Sequence, residues 1–222
     1  MNLDMNPPNV VLLIMNCVRY KDKADAQKKT WLAGMTEVPY YHVRANPEME
    51  PPYQFDDTER VLWVKTKDDY NSLPHKVISA YQAVAERYAP TLKYVLKTDD
   101  DQTIQARIPN NFFQATIRML ERSGDDAKIH YAGNVVDVPQ PYLSQYHRIH
   151  PELPVDLPVL QTKYCSGRFY VLSADAVADL LKKKHHIEKE FLEDYAIGLH
   201  LDESYKRTMK HLATNVFFQD TE

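Results

Sequence analysis

The sequence predicts a single α/β domain, residues 1–222, with a mostly parallel central sheet flanked by helices. Strand-like apolar runs alternate with helix-like stretches in the order β-α-β-β-α-β-α-β before a mixed second half, a pattern that favours an α/β sandwich. At 222 residues the chain is long enough to bury a substantial core. Three consecutive aspartates close one of the apolar runs, and ligands of open α/β sheets bind outside the carboxyl ends of the strands.

Each element has its own signal. "VVLLIMNC" (10–17) reads as a central strand, and "DKADAQKKTWLAG" (22–34) as a helix capped by Gly34. "VPYYHVR" (38–44) and "RVLWVK" (60–65) read as strands separated by a loop holding Pro47, Pro51 and Pro52. The strongest helix follows Ser72, a candidate N-cap, with Pro74 in the first turn, where its missing N–H costs little. Val77, Ile78, Tyr81, Val84, Ala85 and Tyr88 then form one stripe of a 3.6-residue repeat. "LKYVLK" (92–97) is the next strand, residues 110–122 a second helix and "KIHYAGNVV" (128–136) a further strand. Residues 137–160 carry five prolines and read as a long surface loop, of a length that is usually functional or disordered. "YCSGRFYVLS" (164–173) is strand-like, "ADAVADLLKKK" (174–184) helical, and residues 191–205 form a turn into a helix.

Composition narrows the function classes. A formal charge of −4, with no basic run beyond "KKK" at 182–184, gives no reason to expect a nucleic-acid partner. The longest apolar run, residues 10–15, is far short of the ~20 residues that span a bilayer, and it follows "NPPN" rather than a basic leader. Cys17 and Cys165 form neither a zinc motif nor a disulfide framework, so free thiols are expected. The expected setting is cytoplasmic or soluble intracellular, or a domain of a larger enzyme.

The chemistry concentrates in "YVLKTDDDQTI" (94–104). In an extended segment Asp99 and Asp101 point one way and Asp100 the other. Two carboxylates on one side make a hard-oxygen site for Mg²⁺ or Mn²⁺ that leaves positions open for phosphate oxygens. A rival reading is a phosphatase of the haloacid-dehalogenase type, with Asp99 as nucleophile and Asp101 as general acid before Thr103. A third is a solvated acidic turn. The cluster alone leaves all three open. An EF-hand and a P-loop are excluded by spacing and by the scattered glycines.

Reading outward from the cluster adds a resemblance. "DDYNSLPHK" (68–76) before the triplet, "KKTWL" (28–32) upstream, and "YCSGRFYVLS" and "EDYAIGLHL" (193–201) downstream occur in one order over residues 19–201. Together they resemble the beta-1,3-galactosyltransferases, beta-1,3-N-acetylglucosaminyltransferases and fringe-like enzymes. The resemblance implies the GT-A fold, a UDP-sugar donor (UDP-galactose first), a carbohydrate acceptor, Mn²⁺ with Mg²⁺ as an alternative, and inversion at the anomeric carbon. It implies that Asp101 ligates the metal, with Asp99 and Asp100 supporting the metal or the donor ribose. Arg19, Asp69 and Lys76 would line the donor site, and Asp194 would be the catalytic base, with helix capping as its structural alternative. A metal-binding histidine is also implied; His211 is the first candidate and His200 the second. Arg168 and Phe169 follow "CSG", where the family often has small residues, and are expected to reshape the sugar or acceptor pocket. A non-catalytic nucleotide-sugar-binding module remains the alternative outside enzymes.

Overall fold

The computed structural model describes residues 8–35, 38–104, 109–122 and 128–221, without the side chains of 109–111. The first half contains β1 (Val10–Met15), α1 (Lys21–Lys29), β2 (Tyr40–Ala45), β3 (Tyr53–Asp56), β4 (Val61–Val64), α2 (Leu73–Tyr88), β5 (Tyr94–Asp99), β6 (Gln102–Ile104) and α3 (Pro109–Arg122). The second half adds β7 (Tyr131–Val138), β8 (Tyr142–Leu143), β9 (Pro158–Val159), β10 (Thr162–Ser173), α4 (Ala174–Lys182), α5 (Lys184–Ile187) and α6 (Glu193–His200). It closes with α7 (Glu203–Lys206), β11 (Lys210–His211), α8 (Thr214–Phe217) and β12 (Phe218–Asp220).

One 8-stranded sheet, ordered β11-β7-β10-β5-β1-β2-β4-β3, organises the molecule. Only β10 and β3 run against the other strands of this sheet. Strand β1 is fully buried and alternates between two cores. Val11, Leu13 and Met15 pack with the buried face of α2, whereas Val10, Leu12 and Ile14 pack with Trp31, Phe112 and Phe113 on the other side. This is the α/β architecture expected from the alternating pattern.

Strand order places the site. From β1 the chain passes to β2 on one side, while β5 pairs with β1 on the other. The order reverses at the β1–β5 pair, and a crevice opens outside the carboxyl ends at such a switch point. The register sets Met15 opposite Asp99, so the residues that follow, Asn16 and Asp100, emerge side by side.

Several local expectations are corrected. Helix α1 stops at Lys29 rather than at Gly34, because the next turn sends adjacent Trp31 and Leu32 into the core. No glycine among the described residues has a positive φ, so Gly34 is not a left-handed cap. Ser72 precedes α2 but makes no side-chain cap bond; Asp69 Oδ1 accepts the Ser72 N–H instead, at 2.8 Å. Residues 137–160 include the end of β7, the small β8–β9 pair and a short 3₁₀ turn at Tyr146–Arg148, rather than loop alone. Cys17 and Cys165 are both free, as expected. Among the described residues no helix is long and apolar enough to cross a membrane.

Helix α6 lies directly on β10. A Cβ on Gly198 would sit 2.2 Å from Tyr164 Cβ and 2.7 Å from the Lys163 carbonyl, a clash that neither the backbone nor a Cβ can avoid by rotation. Gly198→Ala is therefore expected to cost about 1–3 kcal/mol, as overpacking of a fitted contact does. The midpoint in urea should fall accordingly, and an unchanged midpoint would contradict this contact.

Candidate active site

A cleft of about 740 Å³ opens at the carboxyl ends of β1 and β5. Its floor is the aspartate triplet. Strand β5 ends at Asp99 and the chain turns through Asp100 and Asp101, so strand alternation does not extend to them and all three aspartates line the cleft. Each is held separately. Asp99 Oδ1 accepts from Lys97 Nζ at 2.7 Å, Asp100 Oδ2 from Asn16 Nδ2 at 2.6 Å, and Asp101 Oδ1 from Gln102 Nε2 at 2.8 Å.

The backbone beneath them is fixed by Gln27. Its amide nitrogen donates to the carbonyls of Asp100 (3.0 Å) and Gln102 (2.8 Å), and its Oε1 meets His42 Nε2 at 3.0 Å. Since Gln27 Oε1 can only accept, the His42 proton sits on Nε2, which leaves Nδ1 buried without a partner.

One wall is cationic. Arg19 and Lys23 flank the Tyr20 ring, 5.7 and 4.9 Å from its centroid. Behind them Lys76, 3% exposed, pairs with Asp68 at 2.5 Å and donates to the Asn16 carbonyl at 2.9 Å. Asn16 Oδ1 accepts from Arg44 Nε at 2.7 Å, so this asparagine joins Arg44, Lys76 and Asp100. Arg19, Asp69 and Lys76 all line the cleft.

The opposite wall carries Asp194 in the first turn of α6. It is the helix's second residue and not its N-cap, which is Leu192. Its Oδ2 accepts from Gly167 N–H at 2.9 Å and its Oδ1 from Tyr195 N–H at 2.8 Å. Neighbouring Glu193 is spent on the interior: it pairs with Lys97 at 2.9 Å and accepts a short hydrogen bond from the Tyr170 hydroxyl. Tyr70, Tyr146 and Tyr164 stand close enough to Asp194 for its charge to raise their hydroxyl pKa values further, after burial has done most of it. His150 stacks on Tyr70 with ring centroids 4.1 Å apart, which ties residues 146–152 to the cleft wall.

Burial dominates the electrostatics. It pushes Asp99 up to about 6, helped by Glu193 and Asp101 and opposed by Lys97. Asp100, Glu193 and Asp194 are raised for the same first reason. A crowded, partly desolvated set of carboxylates is a site that a cation would relieve.

The structure thus brings Arg19, Asp69, Lys76, Asp99, Asp100, Asp101 and Asp194 to one cleft. His211 is not among the lining residues: it sits on β11, where its Nδ1 accepts from Val135 N–H at 3.4 Å. His200 pairs with Glu190 at 3.0 Å. The expectation for Arg168 and Phe169 is corrected. Phe169 is fully buried in the second core and Arg168 pairs with Asp220 at 2.8 Å, so neither lines the cleft. A bulge in β10 between Cys165 and Tyr170 aims the Gly167 backbone into the site instead. Asn16, Gln27, His42, Lys97 and Glu193 were missed as site residues. Lys97 and Glu193 had a visible signal, as charged residues embedded in apolar or motif-bearing segments; Gln27 and His42 had none.

The family model described as Galactosyltransferase matches residues 48–210, a span that includes the triplet, the bulge and Asp194. The chain belongs to this family. UDP-GalNAc:beta-1,3-N-acetylgalactosaminyltransferase 1 of Rattus norvegicus is 28% identical over 138 residues, covering 61% of this chain and 38% of that protein. Beta-1,3-galactosyltransferase 4 of Homo sapiens is 30% identical over 162 residues, covering 63% and 42%. The chain therefore spans about two-fifths of the length of these relatives. Among solved structures, a glycosyltransferase involved in the glycosylation of the major capsid of PBCV-1 is similar at TM-score 0.44 and 13% identity, over 82% of this chain and 65% of that one. Family membership displaces the haloacid-dehalogenase reading of Asp99.

The support beneath the triplet should be pH-sensitive. Burial first, then Lys28 and Arg44, hold His42 near pKa 3, against 6.5 for an ordinary histidine. Between those values the unfolded chain binds a proton that the folded chain excludes, so stability falls as pH drops below about 6.5. The expected loss from His42 is on the order of 2 kcal/mol between pH 6.5 and pH 5. Urea melts across this range should show a shallower slope in His42→Gln than in the parent; equal slopes would contradict the assignment.

Proposed function

We propose that this chain is a metal-dependent inverting glycosyltransferase that moves galactose from UDP-galactose to a carbohydrate hydroxyl. The observation that carries the reading is the shared cleft: the aspartate triplet and a cationic wall on one side, a carboxylate ringed by tyrosines on the other. The family match supports the same chemistry.

Among the described residues no three His, Cys, Asp or Glu side chains are grouped so as to hold an ion alone. Hard cations of the Mg²⁺ and Mn²⁺ type are commonly held by one or two carboxylates together with substrate phosphates. Asp101 and Asp99 fit that division, and the carboxylates around them, raised by burial, fit the charge. The cation would neutralise the diphosphate as UDP departs.

The chain's own groups supply the rest. Arg19 and Lys23 present positive charge toward the diphosphate, with Lys76 holding the wall behind them. Asp194 takes the proton of the acceptor hydroxyl as that oxygen attacks the anomeric carbon. Burial raises its pKa, which makes it a stronger base than an exposed aspartate. Its two backbone donors orient the carboxylate. Glu193, already committed to Lys97 and Tyr170, is not free for that role. The half-exposed rings of Tyr142 and Tyr146 offer apolar faces on which an acceptor sugar can rest.

Two variants separate the roles. Asp101→Asn is expected to abolish Mn²⁺-dependent binding of UDP-galactose in calorimetry. Asp194→Asn should leave that binding intact and lower UDP release with acceptor by at least about 10²-fold, as loss of a general base does. UDP-GalNAc run in parallel reads donor choice. UDP-sugar binding that is absent or indifferent to metal would defeat the proposal, and full transfer by Asp194→Asn would remove its base. A chain that binds UDP-galactose yet never releases UDP is a binding module.

A further inference from the structure

Lys97 is 1% exposed and does not line the cleft, yet it lies between the groups that do. Its ammonium has three acceptors: Asp99 Oδ1 at 2.7 Å, the Gly167 carbonyl at 2.8 Å and Glu193 Oε2 at 2.9 Å. An ammonium has three N–H bonds, so all are used and none remains for a substrate. Whatever Lys97 does for catalysis, it does through other residues.

Those residues are joined by the bulge in β10. Between Cys165 and Tyr170 the ladder is interrupted, and the freed peptide groups need other partners. Strand β5 supplies two of them in succession: Lys97 Nζ holds the Gly167 carbonyl, and Thr98 Oγ1 donates to the Arg168 carbonyl at 2.6 Å. The Gly167 N–H is taken by Asp194 Oδ2 at 2.9 Å. The position is also tight. A Cβ on residue 167 would lie 3.2 Å from Lys97 Nζ and 3.5 Å from both Asp99 Oδ2 and Glu193 Oε2.

We propose that Lys97 is a positioning residue for the base: it clamps the Gly167 peptide, and that peptide orients the Asp194 carboxylate. The strand that ends in the aspartate triplet and the helix that carries Asp194 are thereby held in one register across the cleft. The inference rests on the reading of Asp194 as the base.

Steady-state kinetics with UDP-galactose, Mn²⁺ and acceptor test it. Lys97→Met keeps length and apolar stem and removes the clamp. Its kcat should fall about 30- to 100-fold, in the range that an ångström-scale misplacement of a reacting group costs. Because Lys97 also holds Asp99, donor KM is expected to rise as well, so kcat is read at saturating donor and Mn²⁺, where a change in donor binding no longer counts. Gly167→Ala keeps the ammonium and its bond to Asp99 but crowds the clamp, and should lower kcat, by less than Lys97→Met, with donor KM within about threefold. It decides the matter if Lys97→Met does not fold. An unchanged kcat in a folded variant, or a rise in donor KM with kcat preserved, overturns the proposal. Asp194→Asn assayed alongside keeps the two readings distinct. If it is inactive while Lys97→Met is fully active, only the clamp fails; if it is active, the base reading itself has failed.

Discussion

The molecule depends on one buried charge balance. At the carboxyl edge of β5, Lys97 is removed from solvent with Asp99 and Glu193 against it, and each partner belongs to a different functional wall. Removing one member of such a set leaves an uncompensated charge in a low-dielectric interior, which is far costlier than losing a surface pair. The sheet makes the arrangement necessary. Lys97 stands in register with Leu13 and Tyr170, both buried in the core beneath α2, so its stem has no route to water and must find its partners inside.

From that centre the two walls follow. Toward β1, parallel register brings Asn16 to Asp100, and Asn16 in turn collects Arg44 and Lys76. Toward β10, the bulge exchanges ladder hydrogen bonds for side-chain partners on β5 and α6. Tyr81 and Tyr170 extend the buried polar chain, hydroxyl to hydroxyl at 2.6 Å and on to Glu193. These tyrosines bind the site to the larger core beneath α2, so the site is as rigid as the packing around it.

Much of this was legible in sequence where the signal is local. The stripe from Val77 to Tyr88 marked α2 because a 3.6-residue repeat is visible in order, and β1 was marked by an unbroken apolar run. Helix and strand ends were less legible. Gly34 suggested a cap, but the chain had turned five residues earlier so that Trp31 and Leu32 could both be buried, a demand set by packing rather than by capping preference. Arg168 and Phe169 were expected in the pocket by proximity to Gly167, yet the bulge turns only the backbone inward.

The sequence by itself determined the α/β class, the position of the carboxylates at a strand end and the family, since each is written in contiguous residues and their order. Only tertiary structure decided which groups share the cleft and what each is free to do. Asp99 and Asp194 are 95 positions apart in the chain (194 − 99), and Gln27 and His42 carry no motif of their own. Their roles come from strand order, from register and from the removal of water around them, which turns ordinary hydrogen bonds and ion pairs into constraints.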